Sequence, residues 1–224
     1  MPTDVIQAQE PTALSCVHKM KFILGAKLHM AQVWDENGQV HPVTVVAVGS
    51  NVVTAVKTKE KDGYVALQVG IGEKNPKNIN KAEKGHLKEL GNFSTLKEFR
   101  LDTVGEAKVG DKIEATIFKA GDAVVISAIS KGKGFQGGVK RHGFHGGRRT
   151  HGQKHSEREP GGIGGGGRAG GRVAKGIRMA GRMGSDRVTI KGLKIVQVDP
   201  ANSFILVGGP IPGHRGTIVE IRES

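Results

Sequence analysis

The chain is poor in the residues that build disulfide frameworks and aromatic platforms. Its 224 residues include one cysteine (Cys16), one tryptophan, one tyrosine and seven phenylalanines. A single cysteine excludes an intramolecular disulfide and a cysteine-cluster zinc site, and it favours a reducing, cytoplasmic compartment. So few rings, scattered along the chain, argue against the row of stacking side chains with which many proteins bind single-stranded nucleic acid.

Long apolar runs are also missing. The longest one near the N-terminus, residues 22–26, lies between Lys21 and Lys27. It is far shorter than the roughly 20 residues of a membrane-spanning helix, so no membrane partner is expected. Residues 1–19 mix acidic, polar and small side chains without periodicity, a pattern that predicts a flexible N-terminal tail.

Acidic residues are scarce in residues 131–184, which we call the basic segment. It contains thirteen Lys and Arg but only two acids, Glu157 and Glu159, so it carries +11 in a chain whose total is +13. It also contains nineteen of the 35 glycines, and Ile163 is its only large aliphatic residue between His145 and Arg168. Because no hydrophobic burial offsets the entropy of ordering such a segment, we expect it to be irregular and to order only against a polyanion.

Short β-type runs flank the basic segment on both sides. Two β-branched runs, residues 41–48 and 52–56, are joined by Gly49-Ser50-Asn51 and predict a hairpin. Further strands are predicted at residues 64–71, 112–118, 123–129, 187–198, 203–207 and 217–221. Residues 72–100 are predicted to be a Lys-rich surface excursion with a short helix near residues 87–90.

Strands this short and this regularly spaced predict an antiparallel β-barrel. We assign residues 20–130 and 185–224 to the barrel domain. The fold class is therefore mainly β, with the basic segment as a long, irregular Gly/Arg-rich extension inserted between two strands. Because both ends of the extension are anchored to a rigid body, a functional projection is favoured over a passive linker.

Residues 132–137 match the G-x-G-x-x-G pattern, and Val139 extends the match to the glycine loop of kinases. A dinucleotide-binding fold needs a helix after these glycines, and we expect Gly137, Gly138 and the glycines from Gly143 onward to prevent one. The kinase interpretation lacks the V-A-I-K, H-R-D and D-F-G motifs. A chance match in a glycine-rich chain explains the pattern better, so neither an enzyme, a cofactor nor a small-molecule substrate is predicted. A nucleotide-binding enzyme stays the rival to be tested.

Four histidines of the basic segment, His142, His145, His151 and His155, raise the question of a metal site. His151 and His155 would share a face if they were helical. A metal ion would, however, lie among thirteen cations with only two carboxylates nearby, so no metal is predicted. We expect these imidazoles to hydrogen-bond phosphates or to stack on bases.

The charge of the basic segment has a simpler alternative explanation, a disordered solubilising stretch. Most of its cations are arginines, whose planar guanidinium groups match phosphate, and its glycines allow close approach of the backbone. This combination fits passage through folded RNA, with counterion release supplying the affinity. A free RNA chaperone with a disordered arm is a second rival.

Long motifs in the basic segment closely resemble the bacterial form of large-subunit ribosomal protein L three. They include residues 130–144 (SKGKGFQGGVKRHGF), residues 160–164 (PGGIG) and residues 175–189 (KGIRMAGRMGSDRVT). The resemblance extends from about Met20 to the C-terminus. It departs from the family at Glu157, where the family commonly has His, at Gly162, where it has Ser, and at Gly165, where some bacteria methylate a Gln.

The resemblance implies a translation-protein-type barrel whose extension reaches toward the peptidyl transferase centre of the large subunit. It also implies a structural, non-enzymatic role in the cytoplasm, direct binding to large-subunit ribosomal RNA (rRNA), support of early subunit assembly, and contact with the neighbouring ribosomal proteins numbered fourteen and nineteen. The residues expected to bind rRNA are the cations and three histidines of the basic segment: Lys131, Lys133, Lys140, Arg141, His142, Arg148, Arg149, His151, Lys154, His155, Arg158, Arg168, Arg172, Lys175, Arg178 and Arg182.

Overall fold

A computed structural model describes residues 21–88, 90–102, 107–165, 167 and 170–224. The predicted tail, residues 1–19, and one predicted site residue, Arg168, lie outside the described residues. The described strands are, in chain order, β1 (Phe22–Trp34), β2 (Val40–Ala47), β3 (Asn51–Lys57), β4 (Ala66–Glu73), β5 (Phe93–Arg100), β6 (Lys112–Ile113), β7 (Ala123–Ile129), β8 (Phe135–Gln136), β9 (Gly181–Arg182), β10 (Arg187–Asp199), β11 (Phe204–Gly208) and β12 (Ile218–Glu223). The described α-helices are short: α1 (Lys59–Asp62), α2 (Lys81–Leu87) and α3 (Gly138–His142).

The chain divides into two compact units. Residues 21–129 together with 188–224 form the barrel unit, and residues 130–187 form the basic unit. None of the helices in the described part of the chain has the length and apolar character that a membrane crossing requires.

Six strands of the barrel unit close into a barrel in the order β1-β12-β7-β10-β11-β2. The predicted antiparallel barrel is confirmed. Strand β7 is the most deeply covered, because residues 124–128 are all buried. Its apolar run matches what a strand covered on both faces requires.

A second sheet, ordered β5-β4-β3-β6, belongs to the same unit and shares its hydrophobic core with the barrel. The rings of Phe22 in β1 and Phe99 in β5 stack with centroids 4.3 Å apart. Gly70 lies beneath the ring of Phe93, and a Cβ atom at position 70 would come within 2.5 Å of that ring. Glycine is therefore required at this point of β4, where an aromatic side chain covers the backbone.

A buried asparagine marks the point where the chain leaves the barrel for the second sheet. Asn51 Oδ1 accepts a hydrogen bond from Leu24 N (3.0 Å), and its Nδ2 donates to Leu24 O and Gly49 O, both at 2.9 Å. Leu24 lies in β1 where β12 pairs on one side. The Asn51 amide thus takes the place that the backbone of another strand would occupy on the other side.

Three sequence predictions are wrong in this unit. Residues 41–48 and 52–56 do not pair as a hairpin, because β2 joins β1 and β11 while β3 joins β4 and β6. Residues 93–100 of the predicted surface excursion form β5, paired along its length with β4, and the helix predicted near residues 87–90 is α2, which ends at Leu87. Residues 112–118 form only the two-residue strand β6, followed by a 3-10 turn at Ala115–Ile117.

The wrong strand at residues 112–118 has a simple physical origin. Alternation correctly predicted that Ile113 and Ala115 face inward, since both are buried. The 3-10 turn then places residues three apart on one side, so Phe118 is buried with Ala115 instead of pointing outward. Strand-like alternation and a tight turn bury overlapping sets of residues here.

Candidate nucleic-acid interface

The basic unit is held together at its base by two antiparallel chain segments. Ser130 N donates to Asp186 O (2.9 Å), Lys133 N to Met183 O (2.9 Å), and Met183 N to Gly134 O (3.0 Å). Beyond these bonds β8 and β9 pair, with Phe135 opposite Arg182. The segment therefore begins and ends as a short backbone-bonded ribbon, a feature that its composition did not predict.

Two glycines allow the segments of the ribbon to come this close. Gly184 has φ +76°, and a Cβ atom there would overlap the carbonyl oxygen of Lys131. Gly181 lies beneath the guanidinium of Arg141. A Cβ atom at position 181 would lie 2.7 Å from Nη1 of Arg141. Any larger residue at either position would have to displace backbone or a bonded side chain.

Helix α3 follows the ribbon and is fastened to the returning chain by two side chains. Arg141 Nη1 donates to Met179 O (2.8 Å), and His142 Nε2 lies 3.0 Å from the same oxygen. Gly143 ends the helix in the left-handed conformation with φ +74°. Both side chains are half-buried, so Arg141 and His142 have a structural role in addition to any contact with RNA.

The presence of α3 corrects one argument from the sequence. We predicted that glycines would prevent a helix after the G-x-G-x-x-G match, yet Gly138 begins one. The dinucleotide interpretation still fails, because β8 has two residues and pairs antiparallel with β9 rather than entering a parallel βαβ unit.

The distal part of the unit is held by Glu157. Its carbonyl accepts a hydrogen bond from Gly147 N (2.9 Å), and its carboxylate lies 2.5 Å from Nε of Arg149. Gly146, with φ +77°, passes so close to the Glu157 carbonyl that a side chain there would collide with it. One of the two acids of the basic segment is thus engaged by one of its arginines.

His151 and His155 do not lie on a common helix, which is the arrangement that would have favoured a metal site. His151 lies in a turn with φ +58°, so His151 and His155 share no helical face. Over the described residues, no group of three or more His, Cys, Asp and Glu side chains is arranged to hold a metal ion.

The predicted site residues have one property in common, which is exposure. Apart from Arg168, which is not described, and the half-buried Arg141 and His142, every one is exposed. The exposed members are Lys131, Lys133, Lys140, Arg148, Arg149, His151, Lys154, His155, Arg158, Arg172, Lys175, Arg178 and Arg182. A cluster of fixed positive charge on a unit with little core of its own is the arrangement expected for binding phosphates.

Five of the apolar residues of the unit, Phe135, Phe144, Ile163, Met179 and Met183, divide into two groups. Phe135 and Ile163 are exposed, at 77% and 38%. Phe144 is half-buried, packs over Gly138 and lies 5.7 Å from the His142 ring. Met179 and Met183 are also half-buried. Because the sequence of the segment offers no core to bury them, all five are predicted to lodge against the barrel or to fill crevices in RNA, and this stays a prediction.

A cavity of about 530 Å³ opens within the unit beside α3. It is lined by aromatic, imidazole, amide, carboxylate and guanidinium groups, among them His142, Phe144, Gln153, Glu159 and Arg178. Such a lining offers both ring faces and hydrogen-bonding groups, which are the elements with which proteins hold unstacked RNA bases.

Sequence reasoning missed the residues that shape this interface rather than charge it. Arg141 and Met179 are 38 residues apart, and Gly146 meets Glu157 across a loop. No local pattern signals such pairs. The left-handed glycines could have been suspected only from the unusual glycine content of the segment.

Comparison with known proteins gives a consistent result. The family model described as Ribosomal protein L3 matches residues 88–203. A protein of Parafrankia sp. named Large ribosomal subunit protein uL3 is 48% identical over 204 residues, covering 90% of this chain and 86% of that protein. Proteins of the same name from Roseiflexus sp. and Heliobacterium modesticaldum are 49% and 44% identical, covering 90% and 91% of this chain and 96% and 97% of their own lengths. The chain belongs to the ribosomal protein L3 family.

Proposed function

We propose that this chain is a structural constituent of the large ribosomal subunit and that it binds large-subunit rRNA directly through its basic unit. The observation that carries the proposal is the exposure of nearly all the described cations of the basic segment, on a unit joined to the barrel unit at both ends of its chain. The family is one of ribosomal structural proteins, and the chain is not an enzyme. Its place is the large subunit in the cytoplasm.

The balance of charge inside the unit supports a polyanionic partner. The segment has only two carboxylates for thirteen cations, and one of the two, Glu157, is paired with Arg149, so most of the positive charge is not neutralised within the segment. The net charge of the chain, +13, exceeds the magnitude of about 2–8 that suffices for the solubility of a small domain. Phosphate groups of rRNA would neutralise it and release bound counterions, which supplies affinity.

The test is the salt dependence of binding between the full chain and a large-subunit rRNA transcript. We expect the logarithm of the binding constant to fall linearly with the logarithm of salt concentration, with a slope of several units. Replacing Arg148, Arg158, Arg172 and Arg178 by Gln removes four exposed charges and should reduce the slope by about 3, since each phosphate contact contributes about 0.7–0.9.

A matched control removes four exposed charges from the barrel unit. Lys59, Lys61, Lys81 and Lys84 lie in α1 and α2 and are exposed. Changing them to Gln alters the net charge of the chain by the same amount, but we expect little change in slope. Equal effects of the two quadruple variants, or an affinity that does not depend on salt, would contradict the proposal.

The finer part of the proposal concerns where the basic unit lies in the subunit. We propose that it reaches toward the peptidyl transferase centre, that the chain joins the subunit early in assembly, and that it adjoins the ribosomal proteins numbered fourteen and nineteen. The support is the resemblance of residues 130–144 and 175–189 to the family, together with the exposed, irregular distal part of the unit.

Directed cleavage of rRNA tests the location. With Cys16→Ser as background, Gly162→Cys introduces a thiol at an exposed position where a Cβ atom meets no neighbour within 4 Å. Iron–EDTA attached there should cleave rRNA around the peptidyl transferase centre after assembly. The same reagent at Lys61→Cys, in α1, should cleave elsewhere. Identical cleavage patterns from the two sites, or none from position 162, would overturn the location.

A further inference from the structure

A second surface of the molecule differs from the basic unit in both charge and polarity. It is formed by the distal parts of β1 and β2, where Met30, Trp34, Val40 and Pro42 are exposed. Trp34 is the only tryptophan of the chain and is 65% exposed, while Met30 is 51% and Val40 45% exposed. We call these four residues the hairpin face.

Strands β1 and β2 form an antiparallel hairpin, and its register places the four residues on one side. Trp34 pairs with Val40, Gln32 with Pro42, and Met30 with Thr44. Because side chains alternate along a strand, positions 30, 32 and 34 share a face with positions 40 and 42. The result is a largely apolar strip, interrupted by the exposed Gln32, that the described part of the barrel unit does not cover. Soluble proteins expose such strips mainly where a partner binds.

The hairpin is held in one conformation by its turn. Asp35 N donates to Gln39 O (2.9 Å), Gly38 N donates to Asp35 O (2.8 Å), and Gly38 has φ +76°. The Asp35 carboxylate lies 2.5 Å from Nε2 of His41. A surface that is already ordered loses little conformational entropy on binding, and tryptophan is among the residues that most often dominate such a contact.

Charge indicates the class of partner. No Lys or Arg occurs between Lys27 and Lys57, although the chain as a whole carries +13. The turn instead carries two acids, Asp35 and Glu36. Carboxylates at the edge of the hairpin face would repel the phosphates of an RNA helix but attract a basic protein surface.

We propose that the hairpin face is a protein-docking site whose partner presents an apolar patch bordered by Lys or Arg. Trp34 is buried in this contact, and Asp35 and Glu36, which follow it in the turn, pair with cations at the rim. The chain thus uses two faces of opposite character, one for RNA and one for protein. This goes beyond the proposed rRNA contact, because it concerns different residues in the other unit.

The test places a photoreactive side chain in the hairpin face, at position 34. The full chain with Trp34→p-benzoylphenylalanine is assembled into large subunits and irradiated, and the adduct is treated with nuclease or protease. We expect an adduct of increased mass in which position 34 is linked to a different protein, so that nuclease leaves the mass unchanged and protease removes it. The matched control is Phe135→p-benzoylphenylalanine, an exposed aromatic position in the basic unit, where we expect an adduct with RNA.

The unsubstituted chain provides a second measurement that does not depend on tolerance of the new side chain. A carbodiimide couples a carboxylate to a lysine only when the two are in contact, with loss of water. In assembled subunits, we expect Asp35 or Glu36 to be linked to a lysine of another protein, and the free chain to lack that product. An adduct of position 34 with RNA, with another part of the same chain or with a second copy, or no adduct by either method, would overturn this inference but not the rRNA contact. Failure of the chain to enter subunits would overturn both.

Discussion

Asn51 illustrates how one polar side chain can join two sheets. It is completely buried, and its amide makes three hydrogen bonds with backbone groups of Leu24 and Gly49. A buried backbone N–H or C=O that loses its partner costs about 1–3 kcal/mol. The side chain therefore matters for stability far more than its polarity would indicate from the sequence.

Replacing Asn51 by Leu, which has a similar size but no hydrogen-bonding groups, should lower the free energy of unfolding by about 2–4 kcal/mol, because Leu24 N and Leu24 O would be left without hydrogen-bond partners. Urea denaturation followed by circular dichroism measures the change. Asn92→Ala, at an exposed position, serves as the control and should change the free energy by less than about 0.5 kcal/mol. A Leu variant as stable as the control would contradict this role.

An ion pair in the barrel unit connects residues that are far apart in the sequence. Lys21 Nζ lies 2.7 Å from Asp122 Oδ2 and 3.5 Å from Glu223 Oε1. The hydrogen bond from Lys21 lowers the pKa of the Asp122 carboxyl, and the backbone N–H of Lys119 lowers this pKa further. The same hydrogen bond to Asp122 raises the pKa of Lys21 despite partial burial.

The pH dependence follows from these directions. Because the folded pKa of Asp122 is depressed, its contribution to stability is present above about pH 4, the range of a free aspartate, and is lost as pH falls through the folded pKa. Asp122→Asn should therefore lower the free energy of unfolding by about 1 kcal/mol at pH 7. The difference from the parent should shrink toward zero as the pH falls below about 4 and through the lowered folded pKa of Asp122. Urea denaturation across this pH range measures it, with exposed Asp102→Asn as control; a difference that persists undiminished would refute the assignment.

The charge and exposure of the predicted site residues could be inferred from the sequence more fully than the contacts of the core residues. Exposure and charge follow from residue type, so the cations from Lys131 to Arg182 could be named from composition alone. The roles of Asn51 and Lys21 could not, because their partners lie 27 and 101 positions away. Arg141 combines a predictable and an unpredictable property. The sequence gives its charge, but it does not reveal the hydrogen bond to the Met179 carbonyl.

At the scale of elements, helix α3 carries two neighbouring cations that differ in their contacts. Lys140 and Arg141 are adjacent in the helix, yet only Arg141 is shown to bond the Met179 carbonyl. Both variants Lys140→Met and Arg141→Met remove one charge from the same helix. They form a matched pair that distinguishes electrostatic from structural effects.

We expect Arg141→Met to increase hydrogen exchange of the backbone around residues 179–183 by roughly fivefold, corresponding to one lost hydrogen bond of about 1 kcal/mol. Lys140→Met should leave exchange there unchanged. If each cation contacts one phosphate, each variant should reduce the salt dependence of rRNA binding by about 0.7–0.9 in slope. Equal exchange in the two variants would show that the bond to Met179 does not hold the returning chain.

Prediction of the elements succeeded where a strand is bounded by strong turns. Strand β7 begins and ends at the predicted residues, and β10, β11 and β12 lie within two residues of their predicted bounds. The prediction of a hairpin at residues 41–56 was wrong because Gly49 and Ser50 are equally compatible with a tight turn and with a change of sheet. Which one forms depends on distant partners, since β2 pairs with β11.

At the scale of the whole molecule, the basic segment interrupts the chain of the barrel once. Strands β7 and β10 flank it in sequence and are neighbours in the barrel. The strands before the insertion (β1, β2 and β7) and those after it (β10, β11 and β12) meet at four of the six boundaries of the barrel. The barrel is thus assembled from two parts of the chain, one before and one after the basic segment, which connects them.

A cut in the basic segment should therefore leave the barrel intact. A specific protease site inserted between Gly161 and Gly162, where both residues are exposed, allows the chain to be cleaved once. The two fragments should elute together in size-exclusion chromatography and separate only in concentrated guanidinium, because their contacts include the buried strands β7 and β12. Fragments that separate in native buffer would contradict the assignment of these strands to one closed barrel.

The pairing of β1 with β12 has a consequence for the order of events during translation. Phe22 lies opposite Arg222, so the barrel joins strands from the two extremes of the described chain. A protein emerges from the ribosome N-terminus first and cannot form this pair until residue 222 has also left the ribosome. By then the whole basic segment has already emerged. The region with the highest charge is therefore available to a nascent rRNA before the barrel that anchors it can close.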